Sequence, residues 1–143
     1  MNIIIGSDHA GFGLKEECRR MLENDTKHSV TDAGVFDRQS SNYPDIAHKV
    51  AQAVARGDYA RGILICGTGI GMSITANRYK GIRAALCSNI YHARMCRQHN
   101  DANILAMGDR VTGAGLALEI LRVFIDTEFE GDRHQARLDM IDC

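Results

Sequence analysis

Short apolar runs alternate along this chain with longer stretches in which apolar residues recur every three or four positions. The runs Asn2–Gly6, Ser29–Ala33, Gly62–Cys66, Ile82–Cys87 and Asn103–Met107 read as β-strands. Between them, Leu14, Cys18, Met21 and Leu22 recur at helical spacing, as do Ile46, Val50, Ala53 and Val54 after Pro44-Asp45, and Leu116, Ile120, Val123 and Phe124 near the end. Strands alternating with amphipathic helices predict an α/β fold, a parallel sheet covered by helices on both faces. The segment 128–143 is charged and leads into no strand, so it reads as a C-terminal arm; Arg133 and Arg137, four apart, share a face if it is helical.

Composition narrows the class. At 143 residues, 45% hydrophobic and 24% charged, residues 1–143 suit one domain able to bury a real core. A net charge of −1 gives no case for nucleic acid or a membrane surface, so any phosphate site must be built from local arginines. No charged-then-apolar leader, span-length apolar run, linker or internal repeat is visible, and a cytoplasmic location is the expectation. Cysteines at 18, 66, 87, 96 and 143 are odd in number and form no Cys-x-x-Cys pair, which argues for reduced thiols rather than a disulfide framework or structural zinc. Packing explains Cys18 and Cys87, and Cys96 and Cys143 have no activating neighbours in sequence.

Cys66 differs. In Arg61-Gly-Ile-Leu-Ile-Cys-Gly-Thr-Gly-Ile-Gly71 an apolar strand delivers the thiol onto a glycine-rich turn just before a helix. Gly67, Gly69 and Gly71 let the backbone approach a ligand closely, and the helix start points free N–H groups and a positive dipole end at it. The same field stabilises negative charge on the Cys66 sulfur. The spacing is not the Gly-x-Gly-x-x-Gly of a dinucleotide site, no Gly-Lys-Ser/Thr ends it, and Met72 stands where a cysteine phosphatase needs arginine. A buried cysteine closing a parallel strand, with glycines serving only a tight turn, accounts for the same letters, so other residues must decide.

Ligands of such sheets lie beyond the carboxyl ends of the strands. The first strand runs into Ser7-Asp8-His9, the third into Cys66-Gly67-Thr68, and the fifth into Gly108-Asp109-Arg110. Asp8 and His9 suit either a helix cap or a site opposite the Cys66 loop. His99 and Asn100 fall between the fourth helix and the fifth strand, at the other end of the sheet. Either a partner subunit supplies them to a site, or they are an ordinary helix C-terminus. The six histidines, at 9, 28, 48, 92, 99 and 134, show no metal-ligand spacing.

Six stretches together resemble the ribose-5-phosphate isomerase B family: Gly6-Ser-Asp-His-Ala-Gly-Phe12, Asn42-Tyr-Pro-Asp45, Ile65-Cys-Gly-Thr-Gly-Ile-Gly-Met-Ser73, Gly81-Ile-Arg-Ala84, Arg97-Gln-His-Asn-Asp-Ala-Asn103 and Glu130-Gly-Asp-Arg-His-Gln-Ala-Arg137. The resemblance implies a Rossmann-like three-layer sandwich with a five-stranded parallel sheet. It also implies a homodimer, or a dimer of dimers, with sites at the subunit interface, and neither cofactor nor metal. By the same resemblance the substrate is a sugar phosphate, interconverted between D-ribose 5-phosphate and D-ribulose 5-phosphate through a cis-enediolate. Cys66 then corresponds to the base, Gly67, Thr68, Gly69, Ile70 and Gly71 to the anion hole, and His99 to the ring-opening residue. Asp8, His9 and Asn100 correspond to sugar-binding positions, Arg110, Arg133 and Arg137 to the basic set around the substrate, the last two at the phosphate, with His134 between them assisting in substrate binding.

That chemistry needs these parts in any case. Removing a proton α to a carbonyl requires a positioned base and donors where the oxyanion develops. Two rival expectations stand beside it. One is an isomerase of a hexose 6-phosphate of the allose or galactose type, since pocket depth is not written in sequence. The other is a non-catalytic sugar-phosphate sensor, which would need neither Cys66 nor His99.

Overall fold

The computed structural model describes residues 1–25 and 27–141. In chain order the elements are β1 (Asn2–Ser7), α1 (Phe12–Glu23), β2 (Ser29–Asp32), α2 (Tyr43–Ala55), β3 (Arg61–Cys66), α3 (Ile70–Ala76), β4 (Ala84–Leu86), α4 (Ile90–Asn100), β5 (Ile104–Gly108), α5 (Ala114–Asp126) and α6 (Arg133–Leu138). The five strands form one sheet in the order β2-β1-β3-β5-β4, every neighbouring pair parallel. The expected α/β sandwich is therefore present.

Both faces of the central strands are buried, which is why Ile3-Ile4-Ile5, Ile63-Leu64-Ile65 and Ile104-Leu105-Ala106-Met107 are unbroken apolar runs. Ile3, Ile5, Ile63, Ile65, Leu105 and Met107 pack with α1, α4 and α5 through residues such as Leu14, Cys18, Ala93, Ile120 and Phe124. Ile4, Leu64, Cys66 and Ile104 face the other way, onto Val50, Ala51 and Val54 of α2 and Met72 and Ala76 of α3.

Two expectations need correction. The fourth strand is shorter than Ile82–Cys87: Gly81 at φ 77° turns the chain, Ile82 N–H bonds to Tyr79 O, and Arg83 N–H is taken by the Asn103 side chain, so ladder pairing starts at Ala84. Leu116 does not cover the sheet. It is 42% exposed, and α5 turns Ala117, Ile120, Leu121, Phe124 and Ile125 inward instead. In the C-terminal segment the spacing of Arg133 and Arg137 is helical, as α6, and its His134 and Leu138 are buried.

The order of strands fixes where a ligand can sit. From β1 the chain turns into α1 on one face and on to β2; from β3 it turns into α3 on the opposite face and on towards β4. The loops leaving β1 and β3 therefore diverge and open a crevice between them.

Candidate active site

The crevice holds a pocket of about 220 Å³ lined by Asp8, His9, Tyr43, Cys66, Thr68 and Arg110, with Ala10, Gly67 and Gly71 completing its wall. Cys66 is 5% exposed, and its Sγ accepts a hydrogen bond from Gly69 N–H at 3.1 Å. That contact depends on the turn. Gly69 precedes α3 in the left-handed region, φ 78°, and a Cβ there would lie 2.6 Å from Leu86 Cδ1 and 2.8 Å from the Met107 carbonyl carbon. Thr68 Oγ1 accepts from Ile70 N–H at 3.3 Å, and the amides of Asp109 and Arg110 donate to the carbonyls of Cys66 and Gly67. The 66–70 loop is thus stitched both to itself and to the end of β5.

Gly69→Ala is expected to destabilise the protein by at least about 1–3 kcal/mol from backbone strain alone, before the clash is counted. Urea unfolding measures it, and an unchanged midpoint would mean that the turn has room this geometry denies it.

Asp8 is 6% exposed, and its Oδ1 accepts from the amides of Ala10 and Gly11, both at 3.0 Å. It both shapes the β1–α1 loop and faces the pocket. His9 is held to Ser41 at two points: its own amide donates to Ser41 Oγ at 3.0 Å, and its Nδ1 accepts from Ser41 N–H at 3.2 Å. With Nδ1 an acceptor, the neutral ring carries its proton on Nε2. Arg110 is exposed, its side chain lying beside Gly67. Tyr43, which the sequence reading left without a role, lines the same pocket, its ring 2.6 Å from where a Cβ on Gly71 would be. The only signal for it was its place in the Asn42–Asp45 motif.

The remaining predicted residues gather at the opposite end of the sheet. His99 and Asn100 end α4, and Arg133, His134 and Arg137 lie on α6, packed against α4. The register pairs Gly62 with Ile104 at that end and Cys66 with Gly108 at the other. Four residue steps of strand, roughly 13 Å, therefore separate the two ends. Within one chain the set is split in two. The rings of His99 and His134 stack with centroids 4.2 Å apart and planes 11° apart. His134 is 3% exposed, Arg133 Nε donates to its Nε2 at 3.4 Å, and Glu130 Oε2 lies 3.5 Å from that nitrogen. Burial, then the positive fields of His99, Arg133 and Arg137, hold His134 below the usual histidine range, against the pull of Glu130. Arg133, Arg137 and Asn100 are exposed.

His99, Glu130 and His134 bring donor atoms within 4.8 Å of one another, a proximity that spacing along the chain did not reveal. The arrangement does not suit a metal. The in-plane lone pairs of two stacked rings cannot converge on one ion, and a guanidinium adjoins His134. Of the other thiols, Cys18 is pushed up to about 12 by burial first and by Glu17 and Asp109 after it. Cys87 is raised by its contact with Cys96, 3.9 Å between sulfurs, and by burial. Both fit the packing role expected of them; Cys143 lies outside the described residues.

A parallel α/β sheet that gathers a thiol, a His–Asp pair and a guanidinium at its switch point has the layout of an enzyme for a small anionic substrate. Comparison with known proteins makes the class specific. The family model described as Ribose/Galactose Isomerase matches residues 3–141. Ribose-5-phosphate isomerase B of Escherichia coli is 46% identical over 97% of this chain and 93% of its own length. The solved ribose-5-phosphate isomerase B of Clostridium thermocellum superposes with a TM-score of 0.97 at 51% identity, covering 99% of this chain and 95% of that one. A D-erythrulose-4-phosphate isomerase of Pectobacterium atrosepticum is 42% identical over 99% of this chain and 93% of its own length. The chain belongs to the ribose/galactose isomerase family and is an isomerase. Among the described residues, no helix is long and apolar enough to cross a membrane.

Proposed function

We propose that this protein interconverts D-ribose 5-phosphate and D-ribulose 5-phosphate, with Cys66 as the base, in a site completed by a second copy of the chain. The observation that carries this reading is the Cys66 sulfur at the wall of the switch-point pocket, with Gly69 N–H aimed at it and Thr68, Asp8, His9 and Arg110 around it. In the open-chain aldose, Cys66 takes the proton from C2 as its electrons form the C1–C2 double bond and the carbonyl pair moves onto O1. The amides of the 67–71 loop steady the resulting cis-enediolate. Return of the proton to C1, and transfer of the O2 proton to O1, gives the ketose. No redox partner is needed, because the oxidation of C2 balances the reduction of C1.

His99 belongs to the step before this. Ribose 5-phosphate spends most of its time as a furanose, and opening it requires a proton to be moved between O1 and the ring oxygen. His99, Asn100, Arg133 and Arg137 lie at the far end of the sheet from Cys66 in their own chain, which supports a site in which a partner subunit brings them to the pocket, its arginines holding the phosphate. The alternative substrates differ in carbon number, and the similarity to a four-carbon phosphate isomerase keeps that question one for assay.

The test is turnover of ribose 5-phosphate, allose 6-phosphate and erythrose 4-phosphate, with EDTA present. The pentose is expected to be the best substrate and chelation to be without effect. Preference for another sugar would move the substrate and leave the chemistry, whereas binding without turnover of any would leave a sensor. The composite site has its own test. Cys66→Ala and His99→Asn proteins, each inactive, are expected to regain about a quarter of wild-type activity when unfolded and refolded together, since random pairing gives half heterodimers, each with one intact site. Sites built within single chains would give no recovery.

A further inference from the structure

His134 lies beside the proposed ring-opening residue and not, within its own chain, beside the thiol. It is the most buried of the polar residues on α6, and it is held there by more than packing. The 128–132 segment is pinned to the end of α4 by Glu130 N–H donating to Gln98 O, and then turns through Gly131 at φ 71° and Asp132 at φ 47°. His134 N–H closes the turn on Gly131 O at 2.9 Å. The ring is thereby placed flat against His99, 11° from parallel.

We propose that His134 is a positioning residue for His99: its buried ring is a flat platform that holds the His99 imidazole in one plane for proton transfer during ring opening. The proposal rests on the reading of His99 given above. Two features support a platform over direct work on the substrate. The His134 side chain is 4% exposed, so little of it is offered to a ligand, whereas the neighbouring Arg133 and Arg137 are exposed. Its Nε2 is already taken as an acceptor by Arg133 Nε, and a proton there would set a third positive charge beside the two arginines, with only Glu130 to offset it. A neutral ring stacked on His99 spares that residue a fixed positive neighbour, while the parallel contact removes rotation about its side-chain bonds that a mobile imidazole would otherwise have to lose in the transition state.

The test compares His134→Phe, which keeps a flat ring, with His134→Ala, which removes it. Two rates are read at saturating substrate: isomerisation of ribose 5-phosphate, and exchange of a C1 proton of ribulose 5-phosphate with deuterium oxide. The ketose cannot close a furanose because its O5 carries the phosphate, so exchange reports enolisation without ring opening. His134→Ala is expected to lower the ratio of isomerisation to exchange by about 10-fold, while His134→Phe keeps it within about twofold of wild type. Both variants are expected to raise KM by loosening Arg133, which the ratio at saturation ignores. Equal ratios in wild type and both variants, or equal loss in Phe and Ala, would overturn the platform. His99→Asn in the same assay separates the two levels: if it too leaves the ratio unchanged, the ring-opening role of His99 has failed, and the platform with it; if it lowers the ratio while His134→Ala does not, only the platform has failed.

Discussion

Replacing Cys66 with serine is expected to lower ribose 5-phosphate turnover by about 10²–10⁴-fold and to leave the fold intact. The choice of serine matters. Cys66 is 5% exposed and its sulfur is the acceptor for the buried Gly69 N–H, so alanine would remove both the packing of a thiol and the partner of an amide. An orphaned buried N–H costs about 1–3 kcal/mol, enough to shift melting by several degrees and to blur a loss of chemistry into a loss of structure. Serine keeps an acceptor at nearly the same place but is a far weaker acid than a thiol and is not available as an anion near neutral pH. The paired expectation is that the alanine variant melts lower than the serine variant, while both lose isomerisation and C1 proton exchange in equal proportion. Exchange at the wild-type rate in the serine variant would put the base elsewhere. The candidates would then be Asp8 and His9 of the same pocket, although Asp8 Oδ1 is already committed to the amides of Ala10 and Gly11.

How much of this site was written in the sequence depends on how local each part is. The strand that delivers Cys66 and the turn that receives it are consecutive residues, so an apolar run ending in Cys-Gly-Thr-Gly was enough to place the thiol at a strand's carboxyl end, where β3 has it. The far-end position of His99 was legible for the same reason: a histidine between a helix and the strand that follows must lie at that strand's amino end. Contacts between residues distant in the chain left no such trace. The grip of Ser41 on His9, the approach of Tyr43 to Gly71, the Cys87–Cys96 contact and the stack of His134 on His99 all arise because separate elements meet in space. Leu116 shows the limit of periodicity. Apolar spacing alone admits a stripe through Leu116, but Glu119, Arg122 and Asp126 mark the polar face that Leu116 borders, and the core takes the opposite stripe through Ala117, Ile120, Leu121 and Phe124. The short β4 shows another, since Ile82 and Arg83 are strand-like in type but are drawn into the turn after α3 and onto Asn103.

His99→Asn should divide the reaction in two. Asparagine is similar in length and can still donate and accept hydrogen bonds, but it cannot carry a proton between oxygens at neutral pH. Turnover of ribose 5-phosphate is expected to fall by about 10²-fold or more, because the furanose must then open without acid–base help. Deuterium exchange at C1 of ribulose 5-phosphate is expected to stay within a few-fold of wild type, since that ketose meets Cys66 already open. Forward and reverse isomerisation rates would not separate the steps, because the equilibrium constant ties their kcat/KM values together whatever the variant. Exchange escapes that constraint by stopping at the enediolate and returning to the same sugar. Erythrose 4-phosphate extends the test wherever it is turned over, as its O4 is phosphorylated and it forms no furanose. If exchange and pentose turnover fall together, His99 acts in binding or in enolisation itself, and the separation of thiol and imidazole to opposite ends of each chain would then serve only to complete the pocket. If turnover falls alone, that separation has a chemical meaning: His99 opens the ring and Cys66 moves the proton, and in the proposed composite site the two steps would be divided between subunits.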